Sequence, residues 1–365
     1  MQRKKAVFAP YPTDSVKGYQ ALGAETVHGT AEFVSAHVLK INGESYQATN
    51  IMIATGQQPN KLPITGSEYT LSSDDVFNME VLPKRVTFIG GGFVSMELAT
   101  MLNSAGSVVD IVEFAERPLK AFNAEHVAIV MAEMRAQGVN FHFGQAVAKV
   151  EKLTAGYQVT TAQGLKLDTD MVVDTSGRVP NVEKLNLAAA GIDYDRAGII
   201  VNDHFETNVT GVYALGDVAK KRVPKLTSTA HYEGKYLSAY LTQQVTGKLD
   251  YPVVATAAFT FPQIAQVGVS LEEAQSSDDY QVKEYDLAKT AHAYVGTNDM
   301  EAKLALIFNQ REQLVGAAEV SQTAVDDINN FVDIIGSNTT KKAWHQVAIP
   351  VFPSLAYKVH DLAGQ

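Results

Sequence analysis

The 365-residue chain contains no cysteine. A disulfide, a thiolate zinc site, an iron–sulfur cluster and a cysteine nucleophile are therefore excluded from these residues. The absence fits a cytosolic protein. Long apolar runs are also lacking; none approaches the ~20 residues of a membrane span. The N-terminal stretch MQRKKAVFAPYPTDS starts basic but has no signal-peptide core, because Pro10 and Pro12 interrupt it. A cytoplasmic location is expected. Positive charge is in deficit: 30 basic against 40 acidic side chains leave −10. That balance argues against a general nucleic-acid binder.

What is present is ordinary for a globular protein. Apolar residues make up 46% and charged residues 19%, which excludes disordered and fibrous classes. At ~100–200 residues per domain, two to four domains are expected. The first eighty or so residues read as strands and turns, with Asn42-Gly43 as a hairpin signal. From about Pro83 the rhythm becomes strand, glycine turn, helix, strand. A helix follows from about Asn123 to Gln137, with Asn123 as N-cap and Gly138 just past its end. Another helix with a Tyr/Leu face is expected over about Ser228 to Thr246. From Tyr251 the pattern is α+β, ending in an apolar helix with Ile328, Phe331, Val332 and Ile335. One internal echo appears. Gly56-Gln57-Gln58-Pro59-Asn60 and Gly177-Arg178-Val179-Pro180-Asn181 share a Gly-x-x-Pro-Asn pattern after an apolar strand and a β-rich meander. It reads either as similar turn residues at two strand ends or as two related nucleotide-binding units.

Gly90-Gly91-Gly92-Phe93-Val94-Ser95 follows a strand and opens a helix. In such a turn Gly90 permits the bend and Gly92 admits a pyrophosphate to the backbone N–H groups. Ser95 stands where a third glycine is usual, and its small side chain suits close helix–strand packing. Glu113 ends the next strand. An acid there accepts hydrogen bonds from a ribose diol and repels a 2′-phosphate, so NAD is favoured over NADP. Lys120 keeps NADP open as the minority alternative.

With these features in order, the chain resembles the flavin-dependent pyridine nucleotide–disulfide oxidoreductases, the family of glutathione reductase and dihydrolipoamide dehydrogenase. The resemblance runs from about His28 to the C-terminus. It rests on IMIATGQQPN, FIGGGFVSMELA, VEFAERPL, DTSGRVPN and TNVTGVYALGDVA in that order. It implies an α/β fold with three parts. An incomplete FAD-binding domain spans 1–82 and 199–250, a complete three-layer, Rossmann-like NAD-binding domain spans 83–198, and an α+β dimerisation domain spans 251–365. It also implies FAD and NAD as cofactors and a homodimer. By position, Asp217 after Gly216 would bond the ribityl chain of FAD. Thr55, Gly56 and Thr227 would lie near the FAD. Gly90, Gly92, Ser95, Glu113 and Gly177 would serve the dinucleotide, and Glu97 would be an acid beside the flavin.

Three departures from the family stand out. No strand, Gly-x-Gly-x-x-Gly loop and helix precede Phe88, so these residues are expected not to include the unit that, by the resemblance, binds the ADP half of FAD. The redox-active cysteine pair and the lysine partner of Glu97 belong to that unit. The acid–base His-Pro-Thr-x-x-Glu element aligns with Phe352-Pro353-Ser354-Leu355-Ala356-Tyr357, without its histidine or glutamate. His345 and His360 lie nearby but out of register, and read as surface or packed residues. No catalytic residue and no metal site is assigned. Two functions remain. One is an NADH-oxidising flavoprotein that uses a small-molecule acceptor other than a disulfide. The other is a non-enzymatic NAD-binding, dimerising protein, with its FAD-binding half on a separate chain or lost. Losing the ADP-binding unit would weaken FAD retention by many contacts at once.

Overall fold

The computed structural model describes residues 2–289, 301–347, 349–352, 354, 356–357 and 360. Helices α1 (Gln2–Phe8) and α2 (Tyr11–Ala21) come first. A meander of β1 (Ala31–Ser35), β2 (Val38–Ile41) and β3 (Glu44–Gln47) leads to β4 (Ile51–Ile53) and β5 (Gln57–Pro59). After α3 (Ser73–Asn78) come β6 (Arg85–Ile89), α4 (Phe93–Ser104), β7 (Val108–Val112), α5 (Ala124–Ala136) and β8 (Val139–His142). A second meander, β9 (Val147–Lys152), β10 (Tyr157–Thr161) and β11 (Lys166–Thr169), precedes β12 (Met171–Asp174) and β13 (Arg178–Pro180). Then follow α6 (Leu187–Ala190), β14 (Tyr194–Asp195), β15 (Gly198–Ile199), β16 (Val212–Ala214) and α7 (Thr227–Leu241). The last part holds β17 (Thr256–Ala258), β18 (Gln263–Gly268), α8 (Leu271–Gln275), β19 (Tyr280–Asp286), β20 (Lys303–Asn309), β21 (Leu314–Ser321), α9 (Ala324–Gly336) and α10 (Lys341–Val347).

The chain forms two compact units. One comprises Met1–Pro59, Phe77–Val81 and Arg178–Asp250; the other comprises Asn60–Val76, Leu82–Gly177 and Tyr251–Gln365. Residues 178–198, read from sequence as the end of the NAD-binding domain, pack in the first unit.

In the first unit β4 and β16 pair in parallel, Ile51 with Val212 and Ile53 with Ala214. Their apolar side chains share a core with Phe33, Leu187, Ile199 and Val218. The Asn42-Gly43 turn joins β2 and β3 as expected, with φ of 52° and 92°. Antiparallel β5 and β13 join the two echoing segments. Asn181 N donates to Gly56 O at 3.0 Å. The echo therefore marks two crossings that bond side by side.

The N-terminal residues depart from the all-strand reading. Residues 2–21 form α1 and α2, and α2 buries no side chain. Pro12 lies in the first turn of α2, where a missing N–H costs nothing. The prolines punctuate helices here rather than breaking them. Helix α7 ends at Leu241, short of the expected 246, because Gln243 takes a left-handed φ of 59°.

In the second unit β12, β6, β7 and β8 form a parallel sheet in that order. Helices α4 and α5 connect β6 to β7 and β7 to β8, and the right hand usual for such parallel crossovers sets both on one face. On the sheet, Ile89 and Val172 pack with Val150 and Val159 of the second meander. The expected N-cap of α5 is present: Asn123 Oδ1 accepts from Glu125 N at 2.9 Å and from His126 N at 3.2 Å. The C-terminal antiparallel sheet runs β17-β18-β21-β20-β19. Ile328, Phe331 and Ile335 of α9 are buried against Leu304, Leu306 and Ala317. These side chains, which the sequence marks as one apolar helix face, fill the core of their own unit. No helix among the described residues is long and apolar enough to cross a membrane.

His126 on α5 is a pH-sensitive element of this unit. Burial, aided by the charge of Lys303, lowers its pKa from 6.5 to about 4. Folding favours the neutral ring, so its contribution is full above pH 6.5 and declines as pH falls toward 4. Urea unfolding should show about 2 kcal/mol less stability at about pH 5 than at about pH 7.5 from this group. The difference should shrink by that amount in His126→Leu; an unchanged pH slope would exclude His126 as its source.

Candidate functional site

The second unit builds its candidate site at the carboxyl end of β6. Gly90 has φ of 105°, and a Cβ there would stand 2.8 Å from Thr175 O. Only glycine fits that approach. The Gly91 N–H donates to Glu113 Oε2, and Ala115 N donates to Glu113 Oε1 at 2.7 Å. The Glu113 carboxylate thus fastens the glycine turn, and its remaining lone pairs can accept hydroxyl donors. Gly92 is the N-cap of α4, with no side-chain cap. A Cβ on Gly92 would meet nothing within 4 Å. The first amides of α4 therefore lack a side-chain acceptor, and an anionic group fits there. Ser95 is fully buried and donates through Oγ to Gly92 O at 2.8 Å. It packs the helix on the strand, and its hydroxyl is engaged within the protein.

At the end of β12, Asp174 is buried, accepting from Leu62 N at 2.8 Å and Ser176 N at 3.0 Å. Gly177 follows with φ of 144°, and its carbonyl accepts from Asn60 N at 3.0 Å. Glu97, half-buried on α4, accepts from Phe259 N at 3.0 Å. Burial raises its pKa, and the bond from Phe259 partly opposes the rise. Among the described residues Glu97 forms no ion pair. Lys120 is exposed.

The first unit has its own candidate site at the end of β16. Gly216 turns the chain with φ of 70°. Asp217 follows, and its Oδ1 is buried with no hydrogen-bond partner. An orphaned carboxylate oxygen of this kind suits a hydroxyl-bearing ligand. Thr227 is the first residue of α7 and is exposed. Thr55 donates through Oγ1 to Asn181 O at 2.8 Å, so its hydroxyl ties the β5–β13 crossing. Gly56 takes φ of 67° beside it.

Sequence reasoning missed several residues at these turns. Glu233 is fully buried on α7 and accepts from Gly216 N at 2.7 Å and from Lys221 Nζ at 2.6 Å. Lys225 donates to Asp217 O at 2.8 Å. Its pKa is lowered, chiefly by burial. A signal was available: Thr229, Glu233 and Leu237 form the buried stripe of α7 at helical spacing. A glutamate in such a stripe needs a partner.

Phe352 is exposed, its ring centroid 5.2 Å from that of Tyr357. Pro353 and Leu355 lie outside the described residues, as does the side chain of His345. His360 contacts Trp344 O through Nε2 at 3.1 Å, a packed residue as expected. A separate open pocket lined by Thr30, Glu32, Glu183, Lys184 and Asn186 contains none of the expected site residues. No cluster of metal-ligating side chains occurs among the described residues.

Residues 12–234 match the family described as pyridine nucleotide-disulphide oxidoreductase, and residues 254–363 match its dimerisation domain. The chain is 30% identical over 336 residues to glutathione reductase of Burkholderia cepacia, covering 91% of this chain and 74% of the relative. It is 31% identical over 265 residues to a mercuric reductase of Lysinibacillus sphaericus, covering 71% of this chain but only 48% of that relative. Among solved structures, it superposes on the HOCl-induced flavoprotein disulfide reductase RclA from Escherichia coli with a TM-score of 0.86. That match has 25% identity and covers 93% of this chain and 79% of the other. The chain belongs to the pyridine nucleotide-disulphide oxidoreductase family.

The two loop glycines separate folding from binding. Gly90→Ala should destabilise the protein by about 2 kcal/mol or more, because it adds left-handed strain to a backbone clash. Gly92→Ala should lose less than about 1 kcal/mol, as an N-cap change in open space. It should nevertheless weaken NADH binding about tenfold by filling the mouth of the turn. Thermal melts and calorimetric titration check both; parental NADH affinity in Gly92→Ala would contradict this use of the turn.

Proposed function

We propose that the chain is an NADH-oxidising flavoprotein that passes electrons to a small-molecule acceptor other than a disulfide. Family membership supplies the class. The observation that carries the finer claim is that these 365 residues contain no thiol. The aromatic ring of Phe352, which the resemblance sets at the acid–base position, cannot shuttle a proton.

In this reading Gly90, Gly92, Glu113 and Gly177 hold NAD. The α4 amides face its pyrophosphate, and Glu113 takes the ribose diol. Asp217, Thr55, Gly56, Gly216 and Thr227 hold FAD, with the orphaned Asp217 oxygen accepting from ribityl hydroxyls. Flavin, when bound, supplies the two-electron chemistry between reduced nicotinamide and acceptor. The protein contributes position and electrostatics. Glu97 is the flavin-side acid; Phe259 occupies its Oε1, so a proton held there sits on Oε2. The dimerisation-domain match supports a homodimer as the working assembly.

A second reading rests on β4. It pairs only with β16 among the described residues, and Met52 is exposed on it. An open strand edge can accept a further strand, which favours a flavin-binding part supplied by another polypeptide. In that case added FAD alone would not bind.

Purified protein supplied with FAD should oxidise NADH slowly with a quinone or dye and show no acceleration by glutathione disulfide or lipoamide. Disulfide-dependent turnover well above the protein-free rate would contradict the reading. NADH should be preferred over NADPH by about tenfold or more, and Glu113→Arg should reverse the order. Equal affinities in the parent would remove Glu113 as the discriminating group.

A further inference from the structure

Asp217 is held in place by charges that do not touch its own carboxylate. The N–H on one side of the turn, that of Gly216, donates to Glu233 Oε2 at 2.7 Å. The carbonyl of Asp217 on the other side accepts from Lys225 Nζ at 2.8 Å, and the same ammonium donates to Ala197 O at 2.7 Å. Glu233 is fully buried, and its second oxygen accepts from Lys221 Nζ at 2.6 Å; the Lys221 side chain is 6% exposed. The backbone of the turn is thus fastened at both ends, which leaves the Asp217 side chain out of the fastening. Its Oδ1 is buried without a partner, and so is Thr229 Oγ1, one helical turn before Glu233 on α7.

A buried ion pair is a poor device for stability alone, since apolar residues of equal volume often serve as well. Its use here is geometric. The charges of Lys221 and Lys225 balance those of Glu233 and Asp217, so the aspartate needs no side-chain partner of its own. We propose that Glu233 and Lys221, with Lys225, are positioning residues that hold the Gly216–Asp217 turn so that the Asp217 carboxylate is kept for a ligand chain bearing hydroxyl groups. This rests on the flavin reading for the identity of the ligand, the ribityl chain, but not for the clamp itself.

Two charge-neutral double variants test it. Glu233→Gln with Lys221→Met keeps a carbonyl acceptor for the Gly216 N–H. Glu233→Leu with Lys221→Met removes it. The readouts are the melting temperature, hydrogen exchange of the 215–219 amides in ligand-free protein, and FAD affinity from quenching of flavin fluorescence. Both variants should melt near the parent. The glutamine variant should keep amide protection and FAD affinity within about threefold. The leucine variant should lose each by about tenfold, the worth of one hydrogen bond at a rigid turn. Parental protection of Gly216 in the leucine variant would overturn the proposal. So would parental FAD affinity alongside lost protection, because the clamp would then not serve the ligand. If the parent binds no FAD, the flavin reading fails and hydrogen exchange alone decides the clamp. If the leucine variant does not fold, Lys225→Met replaces it, leaving the buried pair intact. Amide exchange at 217–219 raised about fivefold would support positioning, and parental exchange would overturn it.

Discussion

A parallel sheet can present a ligand site only where the chain turns away from the strand's carboxyl end. In this molecule those turns need backbone angles open to glycine. Gly90 after β6 and Gly216 after β16 both have left-handed φ, and a Cβ on Gly90 would strike the backbone of Thr175. A strained turn must be held, and each is held in the same way. A carboxylate from another part of the unit accepts an N–H of the turn: Glu113 accepts from Gly91, and Glu233 from Gly216. At the end of β12 the carboxylate is local: Asp174 accepts from Ser176 N, two residues on. Charge is thereby brought to the strand ends, and the first amides of α4 are left for a ligand. The candidate sites of both units follow from this one constraint.

Much of this was legible in the residues. Short-range chemistry was plainest: the Asn42-Gly43 hairpin, the Asn123 cap and the glycine turn before α4 each depend on neighbours in sequence. Glu113 was legible as a candidate site residue through its place just after β7. Its bond to the Gly91 amide was not, because it joins two strand ends brought together by pairing. Glu233 went unnoticed for the same reason: its partners Lys221 and Gly216 meet it only after α7 folds back on the turn. The echoing Gly-x-x-Pro-Asn segments gave a pattern without its meaning, which is the mutual bonding of β5 with β13. The apolar residues of α9 showed burial correctly but not against what; their own sheet covers them.

The family connection and the missing thiols pull in different directions. The relatives' names speak of disulfide, glutathione and mercuric reduction, and this chain has the glycine turns proposed here to take nucleotides. Those turns depend on glycines and carboxylates, which are present. Disulfide reduction by the route the resemblance implies depends on thiols and an acid–base histidine; these residues contain no cysteine, and the resemblance sets Phe352 at the histidine's place. Binding and terminal chemistry can thus part company, because they are built from different atoms in different segments.

The central claim is that this chain carries electrons from NADH to flavin. Anaerobic titration of the FAD-loaded protein with NADH, followed through the visible flavin absorption, tests it most directly. The account predicts that the band bleaches as one equivalent of NADH is added and returns when a quinone is admitted. A flavin band unchanged by excess NADH would contradict it.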